Sequence, residues 1–271
     1  MKATSRYFES ERAPGVRLHA LCWGNPDHVP LVLLHGGGAN AHWWDHLALP
    51  LAARFHVVAP DFRGHGRSDH PANRTAGAFN EDLEAILEVL GRSDVVLVGH
   101  SMGGHVALDH ASRHPETRGL VLLDIVGGAR SRTRRIARLA LSLRRNYPSR
   151  EEAIARYRFL PPAPLASEEL RKAIASASTR EEPDGRFGFN FDPHWFTVPS
   201  RPRPPLSTVT CPVLLIRGEA SEMLLRGPAE TMVEEFPNAQ LCEIPAAGHH
   251  VQIEAPGAVL DAVLDFASPL A

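Results

Sequence analysis

The sequence predicts an α/β fold with a mainly parallel central sheet and helices on both of its faces. From residue 30 to residue 124, and again after residue 213, short apolar runs alternate with stretches in which apolar residues recur at helical spacing. This alternation is the pattern of strand–helix–strand units. It stops between about residues 127 and 200. We therefore expect one α/β domain, residues 1–126 and 201–271, interrupted by a mostly helical insertion, residues 127–200.

Each predicted element rests on a local pattern. Near the start, residues 5–10 and 16–23 fit an antiparallel pair better than a parallel one. Apolar runs predict six buried strands, at residues 30–34, 55–59, 95–98, 120–123, 213–216 and 240–244. Helical spacing between and after them is clearest in Leu83, Ile86, Leu87 and Leu90, and in Val259, Val263 and Phe266. In the insertion, Ile136, Leu139, Ala140 and Leu143 predict a further helix.

Composition narrows the class of protein. The chain has 271 residues, of which 44% are hydrophobic and 22% charged, values that are typical of a compact globular protein. Its formal net charge of -2 argues against a globally basic nucleic-acid binder. The charge is uneven, because residues 127–200 carry a net of +6 and the rest a net of -8. The three cysteines show no disulfide or zinc spacing, and no signal segment or membrane-length apolar run is visible, so we expect a cytoplasmic protein without a membrane span.

A nucleophile is indicated at Ser101. Residues 99–103 read Gly-His-Ser-Met-Gly, directly after a predicted strand and before a predicted helix. In a Gly-x-Ser-x-Gly turn, the glycines permit a sharp strand-to-helix bend that presents the serine hydroxyl above the sheet. Neither a phosphate-binding loop nor a dinucleotide fingerprint matches the glycine spacing.

Two backbone N–H groups are expected to stabilise an oxyanion beside Ser101. One belongs to Met102, which follows the nucleophile. The other is expected from the glycines that follow the strand at residues 30–34, and we assign it to Gly37. A merely flexible glycine loop is the alternative.

The expected general base is His249. It follows the last predicted strand and precedes the last helix, in agreement with the chain order serine, acid, histidine. The neighbouring His250 is the alternative. Two histidine pairs at i, i+4 spacing, His42 with His46 and His110 with His114, lack the His-Glu-x-x-His pattern. We interpret both pairs as solvated or packing side chains, and we expect no metal or organic cofactor.

Three carboxylates are candidates for the acid that orients the histidine. The sequence favours Glu222, in the loop after the strand at residues 213–216, over Asp124, which ends the strand at residues 120–123. Glu219 is third. Loss of turnover in Asp124→Ala but not in Glu222→Ala would reverse the order of the first two.

Together these segments resemble the α/β-hydrolase fold family over essentially the whole chain. The resemblance rests on residues 34–37, 60–68, 99–103 and 248–249, followed by Glu254 and Pro256. It implies that residues 127–200 form a lid over Ser101, which we call the cap. It also implies that the acid usually comes from the slot of Glu222, where aspartate is commoner, while a minority of relatives use the position of Asp124. Relatives with an aspartate nucleophile do not fit, because serine occupies the turn.

The cap is where substrate preference is expected. Its aromatic residues have two alternative roles: they pack the cap onto the core, or they form a hydrophobic acyl or aryl pocket. Trp43 and Trp44 would close such a pocket from the core side. The aromatic residues of the cap are Phe187, Phe189, Phe191, Trp195 and Phe196. Seven arginines between residues 130 and 145 form either a solvated helix face or a patch that attracts an anionic or carrier-bound acyl group: Arg130, Arg132, Arg134, Arg135, Arg138, Arg144 and Arg145.

The sequence therefore predicts a serine hydrolase with a small acyl substrate and a covalent acyl-enzyme. A carboxylic ester is the favoured bond, and thioester, lactone and C–C bonds are compatible with the same residues. A lyase without an acyl-enzyme and a non-catalytic ligand-binding protein are the alternatives from other classes.

Overall fold

A single eight-stranded sheet organises the chain in the computed structural model, which describes residues 2–126, 136, 139–143, 145–198 and 201–271. Its order is β1-β2-β4-β3-β5-β6-β9-β10; β2 runs antiparallel to β1 and β4, and the other neighbours are parallel. The strands, with the separate pair β7 and β8, are β1 Thr4–Phe8, β2 Leu18–Trp23, β3 Pro30–Leu34, β4 His56–Pro60, β5 Val96–His100, β6 Gly119–Leu123, β7 Thr179–Glu181, β8 Phe187–Phe189, β9 Val213–Gly218 and β10 Ala239–Ile244. The predicted α/β fold is confirmed.

Helices cover both faces of the sheet. The helices that the argument uses are α1 Asp45–Leu51, α2 Ala78–Leu90, α3 Met102–Ala111, α4 Arg150–Arg156, α5 Glu168–Ser178, α6 Arg226–Glu235, α7 Val251–Glu254 and α8 Pro256–Ala267. Leu31 and Leu33 of β3 pack in one apolar cluster with α1 and α8, whereas Val32 and Leu34 pack in the other with α2, α3 and α6. This two-residue alternation buries every residue of β3.

The topology brings several loops to one edge of the sheet. Because β3, β5, β6, β9 and β10 are parallel, their carboxyl ends share that edge. The segments that follow these strands, residues 35–38, 101, 124, 219–222 and 245–250, therefore lie in one region. They contain every residue that the sequence assigned to the site except Met102, which begins α3.

The described part of the cap contains more helical than strand residues. Its helices are α4 and α5, and it also contains the antiparallel pair β7 and β8, which the sequence did not predict. The connecting turn includes Gly185 at φ 76°, a conformation that glycine adopts without steric cost. The alternation of Phe187 and Phe189 is the sequence signal of β8. Both predicted cap boundaries adjoin residues outside the described ranges, so the division at residues 127 and 200 stays a prediction.

Within the described part of the chain, no helix combines the length and the apolar character that crossing a membrane requires.

Candidate active site

Ser101 occupies a strained turn between β5 and α3. Its backbone lies at φ 50° and ψ -112°, a region that non-glycine residues rarely adopt. The turn is held by a hydrogen bond from the Ser101 N–H to the Leu123 carbonyl oxygen (3.1 Å). Close packing beneath it requires Gly103, where a Cβ atom would lie 2.3 Å from the Leu34 carbonyl oxygen. Ser101 is half-buried, so its position remains accessible at the edge of the sheet.

The glycine loop after β3 runs beside Ser101. A Cβ atom at Gly36 would lie 3.4 Å from the Ser101 Cβ atom. The Gly38 N–H donates to His65 Nε2 (3.3 Å), which fixes the end of the loop. Burial lowers the pKa of His65 to about 3, so its imidazole is neutral and keeps a lone pair for this bond. The structure thus places the segment that contains Gly37 next to the nucleophile candidate.

Met102, the other predicted oxyanion donor, is the first residue of α3. The N–H groups of a helix's first turn have no acceptor within the helix itself. The positive end of the helix dipole adds to their affinity for negative charge. Position and electrostatics therefore agree with the assignment made from the sequence.

His249 lies beside this turn. The rings of His249 and His100, the residue before Ser101, have centroids 4.8 Å apart. His100 Nε2 donates to the His249 carbonyl oxygen (3.0 Å), which anchors the loop after β10. His249 Nδ1 lies 2.7 Å from Asp124 Oδ1, and His249 is buried. Since Nδ1 faces the carboxylate, Nε2 is the nitrogen left for proton transfer.

Asp124, and not Glu222, contacts His249. Asp124 is fully buried, and its carboxylate accepts three hydrogen bonds. Oδ1 accepts from His249 Nδ1 (2.7 Å) and Ser221 Oγ (2.6 Å), and Oδ2 accepts from the Gly218 N–H (3.0 Å). The preference for Glu222 drawn from the sequence is therefore wrong in geometry, and the alternative, Asp124, takes its place.

The reason lies in the loop after β9. Ser221 is buried and directs its hydroxyl to Asp124, whereas the next residue, Glu222, is exposed. An imidazole Nδ1–H donates one hydrogen bond, and Asp124 receives it. Glu219 is also exposed, and its carboxylate accepts from the Ala246 N–H (2.9 Å).

His250, the alternative base, is engaged elsewhere. Its Nε2 donates to the Pro161 carbonyl oxygen (3.0 Å), and its ring packs against Trp43 and Phe159. Burial lowers the pKa of His250 to about 3. A buried imidazole with that pKa is a poor proton acceptor at neutral pH, so the geometry favours His249.

Sequence comparison identifies the family of the chain. Residues 31–262 match the Alpha/beta hydrolase family. The chain belongs to this family.

The chain is similar in sequence to several curated proteins. It is 30% identical over 258 residues to an sn-1-specific diacylglycerol lipase of Mus musculus, a match that spans 87% of the chain and 80% of the relative. It is 26% identical over 255 residues to 2-(acetamidomethylene)succinate hydrolase of Mesorhizobium japonicum, with 88% and 87% covered. A match of 36% identity to an uncharacterized protein of Mycobacterium bovis spans 55% of the chain and 43% of that relative. The chain thus matches less than half the length of the mycobacterial protein.

Solved structures share the fold of the chain. A structure of E-2-(acetamidomethylene)succinate hydrolase superposes with a TM-score of 0.84 at 22% identity, covering 98% of this chain and 99% of the other. A thioesterase domain from the curacin biosynthetic pathway gives 0.81 at 25% identity, with 97% and 100% covered.

Several residues that support the candidate site did not stand out in the sequence. Asp61 is buried and accepts from the Ala41 N–H (2.7 Å) and the Arg67 N–H (2.9 Å), so it ties together two segments near the glycine loop. His65 and Ser221 were also missed. The segment at residues 60–68 was recognised as structural, and that motif was the available signal for Asp61 and His65. No comparable signal marks Ser221.

Cap side chains lie directly over the glycine loop. A Cβ atom at Gly37 would lie 2.7 Å from Phe196 Cε1, and one at Gly38 would lie 3.0 Å from Leu141 Cδ2 and 3.9 Å from Phe191 Cδ1. Phe191 and Phe196 contact each other edge to face, with centroids 5.9 Å apart. These three side chains therefore form an apolar roof over the loop of Gly37.

Two further aromatic residues of the cap, Trp195 and Phe159, pack against the core. Trp195 contacts Phe79, with ring centroids 4.8 Å apart, and Trp43 contacts Phe159 at 5.3 Å. Trp44, expected to close the pocket with Trp43, is instead buried in the cluster with α1 and α8. The two interpretations of the aromatic stretch thus apply to different members of it.

One arginine of the basic stretch lies within the described ranges. Arg145 lines a cavity of about 410 Å³ together with Tyr147, Glu152, Arg156 and Arg158. Arg130, Arg132, Arg134, Arg135, Arg138 and Arg144 lie outside the described residues. The described residues of the predicted helix, Ile136, Leu139 and Leu143, are exposed by 50–61%.

Proposed function

We propose that the chain is a serine hydrolase that cleaves an ester or related acyl bond through a covalent acyl-enzyme on Ser101. The single observation that carries the proposal is the buried His249–Asp124 pair, 2.7 Å apart, beside a serine held at φ 50°. This combination supplies a nucleophile, a base and an acid that holds the base in one tautomer.

The reaction follows from these positions. His249 Nε2 removes the proton from Ser101 Oγ while that oxygen attacks the substrate carbonyl carbon. The N–H groups of Gly37 and Met102 stabilise the resulting oxyanion. His249 returns the proton to the leaving group, which departs as an alcohol when the bond is an ester. Water then attacks the acyl-enzyme by the same route, and Ser101 is regenerated.

The roof of Leu141, Phe191 and Phe196 supports an apolar acyl or aryl group next to the reacting carbonyl. Relatives are named for a diacylglycerol and for a succinate derivative, and one structural neighbour is a thioesterase domain. We favour a carboxylic ester, while thioesters, lactones and C–C bonds remain compatible substrates.

Covalent labelling tests the proposal. The wild-type protein is expected to react with a fluorophosphonate probe, and the label should map to Ser101 by mass spectrometry. His249→Ala should label far more slowly, while His250→Asn, next to it in sequence, should keep reacting. A folded wild-type protein that never labels would indicate a non-catalytic ligand-binding protein. A protein that reacts with the probe and turns over its substrate, but forms no acyl-enzyme from that substrate, would be a lyase.

We further propose that the substrate is anionic, either free or bound to a carrier, because the cap is basic. The cap carries a net charge of +6, and three arginines line its cavity of about 410 Å³. Such a patch accelerates the encounter with anions, and salt screens the effect. For a carboxylate-bearing ester, kcat/KM should fall with ionic strength and in Arg156→Glu, but not in Arg226→Glu, an exposed arginine of α6. Insensitivity to both changes would remove this refinement.

A substrate series identifies the bond. We expect p-nitrophenyl esters of increasing chain length, acyl thioesters and lactones to differ in kcat/KM, with esters preferred. A thioester preference would point to the function of the curacin-pathway neighbour.

A further inference from the structure

Three potential metal ligands meet where the end of α3 packs against α2. Glu84, His110 and His114 each offer a donor atom within 4.8 Å of the other two. Glu84 Oε1 lies 2.9 Å from His110 Nδ1 and 3.4 Å from His114 Nε2. In a tetrahedral zinc site, donor atoms are separated by about 3.3 Å, given the usual metal–ligand bond lengths. The spacing around Glu84 therefore already approximates a coordination shell.

The two imidazoles are held together by the turn that follows α3. The His114 N–H donates to the His110 carbonyl oxygen (3.1 Å), which ties His114, three residues beyond the end of α3, to the last turn of the helix. The two rings stack with centroids 4.1 Å apart and planes 9° apart. Both rings thus meet Glu84 from the same side of the helix.

The hydrogen bonds leave a place for a cation between His114 and Glu84. His114 Nδ1 contacts Glu116 Oε1 (3.0 Å), which favours the proton on Nδ1. His114 Nε2 then presents a lone pair to Glu84 Oε1 (3.4 Å), itself an acceptor. Either a proton or a metal ion satisfies both atoms. A carboxylate on the far nitrogen is also the usual arrangement behind a metal-bound imidazole.

His110 can release its Nδ1 proton. The residue is buried, and its Nε2 atom has no hydrogen-bond partner in the described part of the chain. No contact described there therefore fixes the tautomer through Nε2. When Nδ1 binds a metal ion, the bond to that ion replaces the Nδ1–H hydrogen bond to Glu84, and the proton can occupy Nε2.

One nearby cation competes for the carboxylate. Arg113 Nη2 lies 3.7 Å from Glu84 Oε1, but it is closer to Asp109 Oδ2 (2.7 Å). A second arginine, Arg201, lies 3.5 Å from Asp109 Oδ2 through its Nη1 atom. The three carboxylates of Glu84, Asp109 and Glu116 outnumber these two arginines. The local charge therefore favours an additional cation.

We propose that Glu84, His110 and His114 form a binding site for a divalent transition metal, of which Zn²⁺ is the reference ion. Two imidazoles and one carboxylate favour Zn²⁺, Co²⁺ or Ni²⁺ over Mg²⁺ and Ca²⁺. The site clips α2 to α3 at the end of α3 remote from Ser101, about 13 Å along the helix axis. Its role is structural, and it is independent of the proposed hydrolase mechanism. It replaces the interpretation of His110 and His114 as packing residues, because Glu84 joins them only in the folded chain.

Metal titration of the full chain tests the site. Isothermal titration with Zn²⁺, together with visible absorption on Co²⁺ addition, should report one bound ion in the wild-type protein. Affinity should fall about tenfold or more in His114→Ala and in Glu84→Gln. Zn²⁺ should also raise the Tm of the wild-type protein, because it binds the folded state.

The matched control is His42→Ala. His42 Nδ1 contacts Asp45 Oδ2 (2.8 Å), a histidine–carboxylate pair that the metal-ligand group does not include. Binding should be unchanged in this variant. Circular dichroism and the Tm without metal confirm that each variant folds. Absence of a bound ion in the wild-type protein, or equal affinity in His114→Ala and His42→Ala, overturns the proposal.

Discussion

Three hydrogen bonds restrict the position of the Asp124 carboxylate. Its backbone adopts φ 44°, which is uncommon for a residue with a side chain, and its carboxylate accepts from a ring nitrogen, a hydroxyl and a backbone N–H. Each hydrogen bond to a buried charge restricts its position and offsets the cost of burial. Asp124 therefore holds His249 in one orientation.

We expect Asp124→Asn to lower kcat by about 10⁴-fold, because the amide no longer stabilises the imidazolium and favours the wrong tautomer of His249. Glu222→Gln, in the exposed neighbouring loop, should change kcat by about twofold or less. Steady-state kinetics with a p-nitrophenyl ester measure both. Comparable losses in the two variants would contradict the assignment of Asp124.

Ser221 is a positioning residue for Asp124. Its hydroxyl donates to Asp124 Oδ1 (2.6 Å) and lies 3.1 Å from the Met223 N–H. Ser221→Ala removes the donor, and we expect kcat to fall about tenfold, the equivalent of one hydrogen bond to a charged group. KM should stay near its original value, and Ser221→Thr, which restores a hydroxyl, should recover most of kcat. A loss in KM alone, or no recovery in Ser221→Thr, would argue against positioning.

At the scale of elements, the cap determines the space above the glycine loop. Phe196 belongs to a short 3₁₀ helix, Pro193–Thr197, whose Asp192 side chain accepts from the His194 N–H (3.0 Å). This N-terminal hydrogen bond stabilises the 3₁₀ turn that places Phe196 over Gly37. The shape of the proposed acyl pocket therefore depends on the position of this turn.

We expect Phe196→Ala to shift the preference toward longer acyl chains, because removing the ring opens space beside Gly37. The ratio of kcat/KM for p-nitrophenyl octanoate to that for acetate should rise about tenfold, the scale on which hydrophobic pockets discriminate. Phe187→Ala, in β8 of the same cap, is the control and should leave the ratio unchanged. An equal shift in both variants would mean that the cap had merely loosened.

The elements also show what sequence can predict. The six apolar runs correspond to β3, β4, β5, β6, β9 and β10, with ends shifted by at most two residues. They could be predicted because a buried strand is a short run of consecutive apolar residues. Ser101 and His249 were identified for the same reason, since each follows a strand. The short strands β7 and β8 carry too few residues for a clear period.

The acid could not be chosen from local pattern. Asp124 and Glu222 both follow strands at the correct edge of the sheet. The choice depends on which neighbouring side chain of a loop turns inward, and there Ser221 is buried while Glu222 is exposed. The group of Glu84, His110 and His114 was missed for a similar reason, because packing of α2 on α3 creates it.

At the scale of the whole molecule, buried histidines link stability to pH. Burial lowers the pKa values of His65 and His250 to about 3, and it lowers those of His35 and His100 as well. In the unfolded chain, histidine titrates near pH 6.5. Below that pH the unfolded state takes up protons that the folded state excludes, so the free energy of unfolding falls as pH falls.

We therefore expect the free energy of unfolding to be nearly constant above about pH 7.5 and to decrease between about pH 6.5 and 4. Each buried histidine contributes about 1.4 kcal/mol per pH unit in that window.

Asp82, whose pKa burial raises to about 6, opposes this trend, because the folded state then holds a proton that the unfolded state releases. Burial also raises the pKa of Glu254, which opposes the trend in the same way. These two carboxyl groups oppose the four histidines named above, so the net slope should remain destabilising. Urea unfolding at pH 8, 7, 6 and 5 measures the slope, and His250→Asn should reduce it by about 1.4 kcal/mol per pH unit. A free energy that stays flat or rises from pH 7 to pH 5 would show that these histidines are not kept neutral by the fold.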